Sequence, residues 1–291
     1  MNTQPLFSIL MAQYNNGRFL QTAVESVFAQ TYTNWEIIIV DDCSTDNSAE
    51  YYELYKDNPR IKIFFNEKNG GEGFTKRNAA AHAKGELCGF LDPDDALLPN
   101  ALQDMVEVHR ANPQVSVVFS RMYMCGENLN IKGESRKLVI AEGKNYFTNK
   151  DFQPEHFVSF KKSFYDKTEG IDGRKRMAAD QDMYTKLEEM GEVYVLDKFT
   201  LKYRIHAGGL SVGKSMNKTW FWNFIVRYET CVRRGLSIDE YAVQGFLDFV
   251  EQKEKYQQDL QRAVHSKAYR LGKFLLKPLS LMRQNILISL I

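Results

Sequence analysis

The chain has 291 residues, 44% hydrophobic and 26% charged, enough to bury one large core with a smaller helical appendage. Lys and Arg number 38 against 37 Asp and Glu, so no overall charge excess argues for a nucleic-acid partner. Cys43, Cys88, Cys125 and Cys231 lie too far apart for a zinc site or a disulfide scaffold, and free thiols of a reducing compartment are expected.

The first strand-like run begins within a few residues of Met1, which leaves no room for a signal peptide, and the expected location is the cytoplasm. No apolar run approaches the roughly 20 residues that a spanning helix requires. Over the first 120 residues, short β-branched or aromatic runs alternate with amphipathic stretches, the pattern of βαβ units around a mostly parallel sheet flanked by helices. Strands are predicted at 7–12, 36–40, 61–65, 87–91 and 115–119, with helices at 17–30, 44–55, 74–83 and 100–111 between them. Residues 122–173 read as loops and a mixed sheet edge. A helix at 179–190 and short strands at 193–196 and 201–205 follow. Two helices at 217–234 and 238–262, joined by Gly235-Leu236-Ser237, predict an αα-hairpin. The organisation expected is a catalytic domain over 1–212, a hairpin extension over 213–265 and a tail over 266–291, the catalytic domain dividing near 120 into donor and acceptor halves.

Ligands of parallel α/β sheets bind beyond the carboxyl ends of the strands, where Asp92, Asp94 and Asp95 follow the fourth predicted strand. Three carboxylates in four residues repel one another unless a cation lies between them, and hard oxygen ligands suit Mg²⁺ or Mn²⁺. The competing reading is an acidic turn ahead of the next helix. Asp41-Asp42 closes the second strand, where a carboxylate commonly accepts from a ribose or base; a helix cap is the alternative there too.

With these strand ends placed, the order of motifs resembles family 2 glycosyltransferases of the GT-A fold. The residues that carry the likeness are Ser8-Ile9-Leu10-Met11-Ala12-Gln13-Tyr14-Asn15-Asn16, Val40-Asp41-Asp42-Cys43-Ser44-Thr45-Asp46, Arg77-Asn78-Ala79-Ala80, Gly85-Glu86 and Phe90-Leu91-Asp92-Pro93-Asp94-Asp95. The likeness resumes at Ala179-Asp180-Gln181-Asp182-Met183 and Tyr203-Arg204-Ile205-His206. It implies that Tyr14 stacks on the donor base, that Asp42 accepts from base or ribose, and that Arg77 lies near the nucleotide. Ala12, Asn15 and Asp92 complete the donor-binding set that the likeness implies, Ala12 standing where relatives often have Pro. Asp94 would hold the metal, with Asp92 as second ligand or facing the sugar, and His206 near metal or diphosphate. Asp180 would be the catalytic base, although Ala179 replaces the usual Glu before it, and Asp182 is its rival.

The function expected is inverting, metal-dependent transfer of one hexosyl or N-acetylhexosaminyl group from a UDP-sugar to a saccharide or lipid-linked glycan acceptor in envelope glycan synthesis. No Gln-x-x-Arg-Trp motif of processive synthases follows. Gly70-Gly71-Glu72-Gly73 lacks the Lys-Ser/Thr of a phosphate loop and reads as a mobile turn, and His156 or Lys161 is expected to face the cleft. Lys267, Arg270, Lys273, Lys277 and Arg283, interleaved with apolar residues and without acids, predict a tail lying on an anionic membrane, on the inner face of the cell membrane. A nucleotidyltransferase of sugar activation and an inactive scaffold of a glycan assembly complex are the alternatives.

Overall fold

A computed structural model describes residues 4–149, 157–209 and 216–247, and residues 250, 251, 254, 255 and 258. Its first half is β1 (Phe7–Gln13), α1 (Gly17–Phe28), β2 (Trp35–Asp41), α2 (Ser48–Tyr55), β3 (Ile61–Phe65), α3 (Glu72–His82) and β4 (Leu87–Phe90). There follow β5 (Ala96–Leu97), α4 (Ala101–Ala111), β6 (Val115–Cys125), β7 (Ile131–Glu134), β8 (Val158–Lys161), α5 (Lys162–Tyr165), α6 (Ala179–Glu188), β9 (Glu192–Arg204) and α7 (Met216–Arg234). One sheet carries all nine strands in the order β3-β2-β1-β4-β8-β6-β9-β5, with β7 paired to β6.

The predicted βαβ units are all present, because strands covered on both faces are continuous apolar runs. In β1, Phe7, Ile9 and Met11 join the core beneath α1 and α4, while Leu10, with Ile38 and Val40 of β2, joins the core beneath α3 and α6. β2 and β4 both pair with β1 in parallel, on opposite sides of it. The strand order therefore reverses between β1 and β4, and the crevice where such sheets bind ligands is expected beyond their carboxyl ends, at Tyr14 and Asp92.

The second half departs from the prediction in three places. β8 lies inside the sheet, antiparallel to both β4 and β6, where residues 122–173 were expected to give only loops and an edge. The runs at 193–196 and 201–205 are one strand, β9, whose pairing to β6 shifts register past the exposed Asp197 and Lys198. In the hairpin, α7 ends with Gly235 at φ 63°, Leu236 N–H donating to Cys231 O at 2.9 Å, a Schellman stop that only glycine adopts without strain. The second arm starts as a π-helix, Asp239–Val243, and much of 238–262 lies outside the described residues. The 266–291 tail and His156 lie outside them as well.

Lys175–Glu229 at 2.5 Å and Arg234–Glu188 at 2.7 Å bring α7 against α6 and the loop before it. All four cysteines are free thiols. Among the described residues no helix is long and apolar enough to cross a membrane.

Candidate active site

The acidic loop after β4 is clasped from the end of β9. Asp95 is 1% exposed, and its Oδ1 accepts the Arg204 backbone N–H at 2.8 Å. Arg204 Nε donates to the Asp94 carbonyl, and its guanidinium lies 4.3 Å over the Phe19 ring. Asp95 is therefore a buried anchor. Burial, then Asp94 and Asp92, raises its pKa well above the carboxylate range, with Arg204 opposing.

Asp94 faces the crevice instead. Its Oδ2 lies 2.8 Å from His206 Nε2, and the imidazole is walled edge-on by Phe19 at 4.9 Å. His206 Nδ1 accepts from Gly208 N–H at 3.3 Å, which puts the ring proton on Nε2 and makes it the donor to Asp94. Burial and then Asp92 push the Asp94 pKa up, while the His206 hydrogen bond opposes them. A carboxylate and an imidazole that converge this way are a fitting pair of ligands for a divalent ion, which would replace the shared proton and relieve the crowding of negative charge. Among the described residues no three His, Cys, Asp or Glu side chains are grouped to hold an ion by themselves.

Asp180 lies in the first turn of α6, after Ala178, whose φ of 57° is a backbone conformation that costs a non-glycine residue about 1 kcal/mol. Asn15 and Cys43, at the ends of β1 and β2, also have positive φ, so three of the four such non-glycine residues among the described ones lie at this end of the sheet. Asp182, the rival base, is 2% exposed, pairs with Lys186 at 2.8 Å and accepts the Asp172 N–H at 2.9 Å. It lies about 200° around the helix from Asp180 and is committed to a structural ion pair.

Lys76 was not among the expected site residues. Its side chain is 3% exposed, with Nζ 2.7 Å from Glu72 Oε1, 3.7 Å from Asp92 Oδ1 and 5.5 Å from the Phe90 ring centre. Burial works against its charge, but Asp92, Glu72 and Asp180 together outweigh burial and hold the ammonium pKa above the lysine range. Burial raises the Glu72 pKa, Lys76 opposes it, and Asp180 and Asp92 add to it. The i, i+4 spacing of Glu72 and Lys76 signalled an ion pair; only the fold shows that it is buried.

Other expected residues are placed as follows. Tyr14 is 49% exposed at the mouth of the crevice, and Ala12 is half-buried in β1. Asn15 Oδ1 accepts the Thr45 N–H at 2.7 Å, which ties the β1 loop to the β2 loop. Asp42, expected to meet base or ribose, is 3% exposed, and its carboxylate accepts from Gly70 N–H, Gly71 N–H and Asn66 Nδ2, each at 2.8 Å. The glycine loop is thus pinned, not mobile: Asp42 holds one side, and Gly73 N–H donates to Lys175 O at 2.9 Å on the other. Arg77, expected near the nucleotide, turns away from Asp92, because one helical step separates it from Lys76 by about 100°. It donates to Ile171 O at 2.8 Å and lines a cavity with Asp172, Asp182 and Lys186. Lys161 pairs with Leu87 at the amino end of β4 and donates to Asn112 O and Pro113 O, so it stands at the far end of the sheet from the crevice.

Relatives of the chain identify its family and fold. The description "Glycosyl transferase family 2" matches residues 8–179. A hyaluronan synthase of Pasteurella multocida is 30% identical over 255 residues, which are 85% of this chain and 25% of the synthase, so the chain spans a quarter of that relative's length. Among solved structures, Staphylococcus aureus TarS 1-349 in complex with UDP-GlcNAc superposes with a TM-score of 0.65 at 20% identity, covering 84% of this chain and 71% of the other. The mannosyltransferase PcManGT from Pyrobaculum calidifontis, in complex with GDP-Man and Mn²⁺, gives 0.58 at 13% identity, covering 94% and 84%. The fold is that of GT-A glycosyltransferases, and the chain belongs to glycosyltransferase family 2.

Proposed function

We propose that the protein transfers one sugar, with inversion, from a UDP-sugar to a saccharide or lipid-linked acceptor, in the assembly of a polysaccharide or glycoconjugate. The observation that carries this reading is the arrangement around the β1/β4 switch point, with Asp94 and His206 2.8 Å apart on one side and Asp180 across Lys76 on the other. UDP-GlcNAc in TarS supports a uridine nucleotide, and the hyaluronan synthase relative supports a saccharide acceptor. The nucleotidyltransferase alternative is set aside by the family to which the chain belongs.

In this reading the exposed Tyr14 ring stacks on the base, with Ala12 and Asn15 shaping the loop around it. Asp42 acts by holding the Gly70-Gly71 loop beside the donor. Asp180 accepts the proton of the acceptor hydroxyl as the oxygen bonds to the anomeric carbon. The bond from that carbon to the diphosphate oxygen breaks on the opposite face, and the electron pair leaves with the nucleotide. Asp94 and His206 would hold a divalent ion, Mn²⁺ better than Mg²⁺ because an imidazole is a ligand, and that ion supplies positive charge against the leaving diphosphate. Asp92, 30% exposed, is the carboxylate turned toward the donor sugar.

The test is nucleotide release from a panel of UDP- and GDP-sugars with Mn²⁺ and oligosaccharide acceptors, using the full chain. Metal-dependent UDP release that Asp180→Asn lowers by about 10²–10⁴-fold, with UDP still bound, is expected. Donor binding without turnover would make the chain an inactive scaffold; no nucleotide binding at all would overturn the reading. We propose also that the tail over 266–291 binds anionic membrane from the cytoplasmic side, which its five cations and apolar residues between Ser266 and Arg283 support. Flotation with phosphatidylglycerol liposomes that is equal for full-length and tail-less protein would reject it.

A further inference from the structure

The amino end of the sheet, remote from the donor crevice, holds a cavity of about 430 Å³ between the starts of β1 and β4, the end of α4 and the start of α5. Its wall carries four cations, Lys84, Arg110, Lys161 and Lys162, against two carboxylates, Glu86 and Asp166. Lys162 and Asp166 answer each other at 2.7 Å. The other three cations face one carboxylate, an excess of two positive charges, and a phosphate monoester carries about two negative ones at neutral pH.

Three polar groups of this wall suit such an anion. The Lys84 ammonium has no ion-pair or hydrogen-bond partner among the described residues. Lys161 Nζ donates to Asn112 O at 2.8 Å and Pro113 O at 2.7 Å, which fixes the ammonium in place and uses two of its three N–H donors. Burial lowers its pKa, the mark of an ammonium deprived of solvent with no anion in its place. His109 is 2% exposed; its Nε2 meets Ser159 Oγ at 3.0 Å, while Nδ1 is buried with no hydrogen-bond partner among the described residues. Leaving a buried ring nitrogen unpaired is costly. With the serine hydroxyl donating to Nε2, the neutral ring keeps an N–H at Nδ1 for an acceptor in the cavity that His109 lines.

We propose that this cavity is an anion site, separate from the donor crevice, which takes a phosphate monoester with Lys84 and Lys161 as counter-charges and His109 Nδ1–H as a neutral donor. A soluble phosphate and the headgroup of a lipid phosphate offer the same chemistry. Pro5 and Leu87 on the same wall would add apolar contact for the carbons of a lipid. The site lies at the opposite end of the sheet from Asp94 and His206, so its test is independent of donor binding.

The experiment is isothermal titration of inorganic phosphate into the full chain near neutral pH, as wild type, Lys84→Glu, Lys161→Gln and Lys144→Glu, the last an exposed lysine outside the cavity. Expected is phosphate binding with a Kd of about 1 mM or tighter. Lys84→Glu and Lys161→Gln should each weaken it by at least about 10-fold, and Lys144→Glu by less than about 2-fold. Lys84 is exposed, so its charge reversal keeps the test readable even where Lys161→Gln, which removes a partner from the carbonyls after α4, fails to fold. Dihexanoyl phosphatidate, titrated in the same way, separates the two sources. Affinity about 10-fold above that of inorganic phosphate assigns the site to a lipid headgroup, and equal or lower affinity assigns it to a soluble phosphate. No binding of either anion, or binding that Lys84→Glu leaves within about 2-fold of wild type, overturns the site.

Discussion

Two acidic clusters flank α6, and they differ in what answers their charge. On one side Asp172 pairs with Arg174 at 2.8 Å and Lys175 at 3.4 Å, Asp182 with Lys186 at 2.8 Å, and Glu229 with Lys175 at 2.5 Å. The Arg174 hydrogen bond holds the Asp172 carboxyl far below its ordinary range. On the other side, among the described residues, Lys76, Arg204 and His206 lie beside Glu72, Asp94 and Asp95, whose pKa values burial raises. A balanced cluster is finished as it stands and stabilises the fold. A cluster whose carboxylates are raised in pKa by burial is costly to the fold and suits a cation and a substrate that relieve it.

The sharpest contrast is between two carboxylates two residues apart. Asp180→Asn is expected to lower transfer by about 10²–10⁴-fold and to cost the fold less than Asp182→Asn does. Asp182→Asn should do the opposite: it leaves Lys186 buried without its partner and costs about 3 kcal/mol in denaturant unfolding, with kcat of the folded protein retained. Exchanged outcomes would exchange the two roles.

A smaller effect separates either cluster from the background of the fold. His109, 2% exposed, hydrogen-bonds Ser159 at 3.0 Å, and burial, with Lys161 adding, pushes its pKa down from 6.5 to about 3. Between those values the unfolded chain takes up a proton that the folded chain refuses. Stability therefore falls as pH drops through that window, by up to about 1.4 kcal/mol per pH unit, and His109→Gln should flatten the slope in urea titrations at pH 4 to 6. The smallest effect is expected of Arg77→Ala, which alters the balanced side only: UDP affinity by isothermal titration should stay within about 2-fold of wild type, as for an exposed, weakly coupled charge.

Much of this contrast was legible before the structure, and the exceptions have physical causes. The βαβ half was readable because its strands are buried on both faces, and the Asp92-Pro93-Asp94-Asp95 loop because strand ends carry ligands. β8 escaped notice because four residues between loops hold too little periodicity, and β9 looked like two strands because Asp197 and Lys198 point to solvent mid-strand. Asp180 was favoured over its rival Asp182 from the sequence, and Lys186, one turn further along, gives Asp182 a counter-ion that the sequence reading did not use. Lys76 was passed over for its neighbour Arg77, which carries the motif but faces the balanced cluster. Asp42 was recognised as important, and the fold adds that it grips backbone N–H groups of the glycine loop.

The central claim is that a divalent ion and a nucleotide diphosphate are held at Asp94 and His206. Isothermal titration of UDP into the full chain, with Mn²⁺ and with chelator, tests it most directly in wild type, Asp94→Asn and Asp182→Asn. The account predicts Mn²⁺-dependent UDP binding that Asp94→Asn weakens by about 10- to 100-fold and Asp182→Asn preserves. UDP binding that is indifferent to Mn²⁺ and to Asp94→Asn would contradict it.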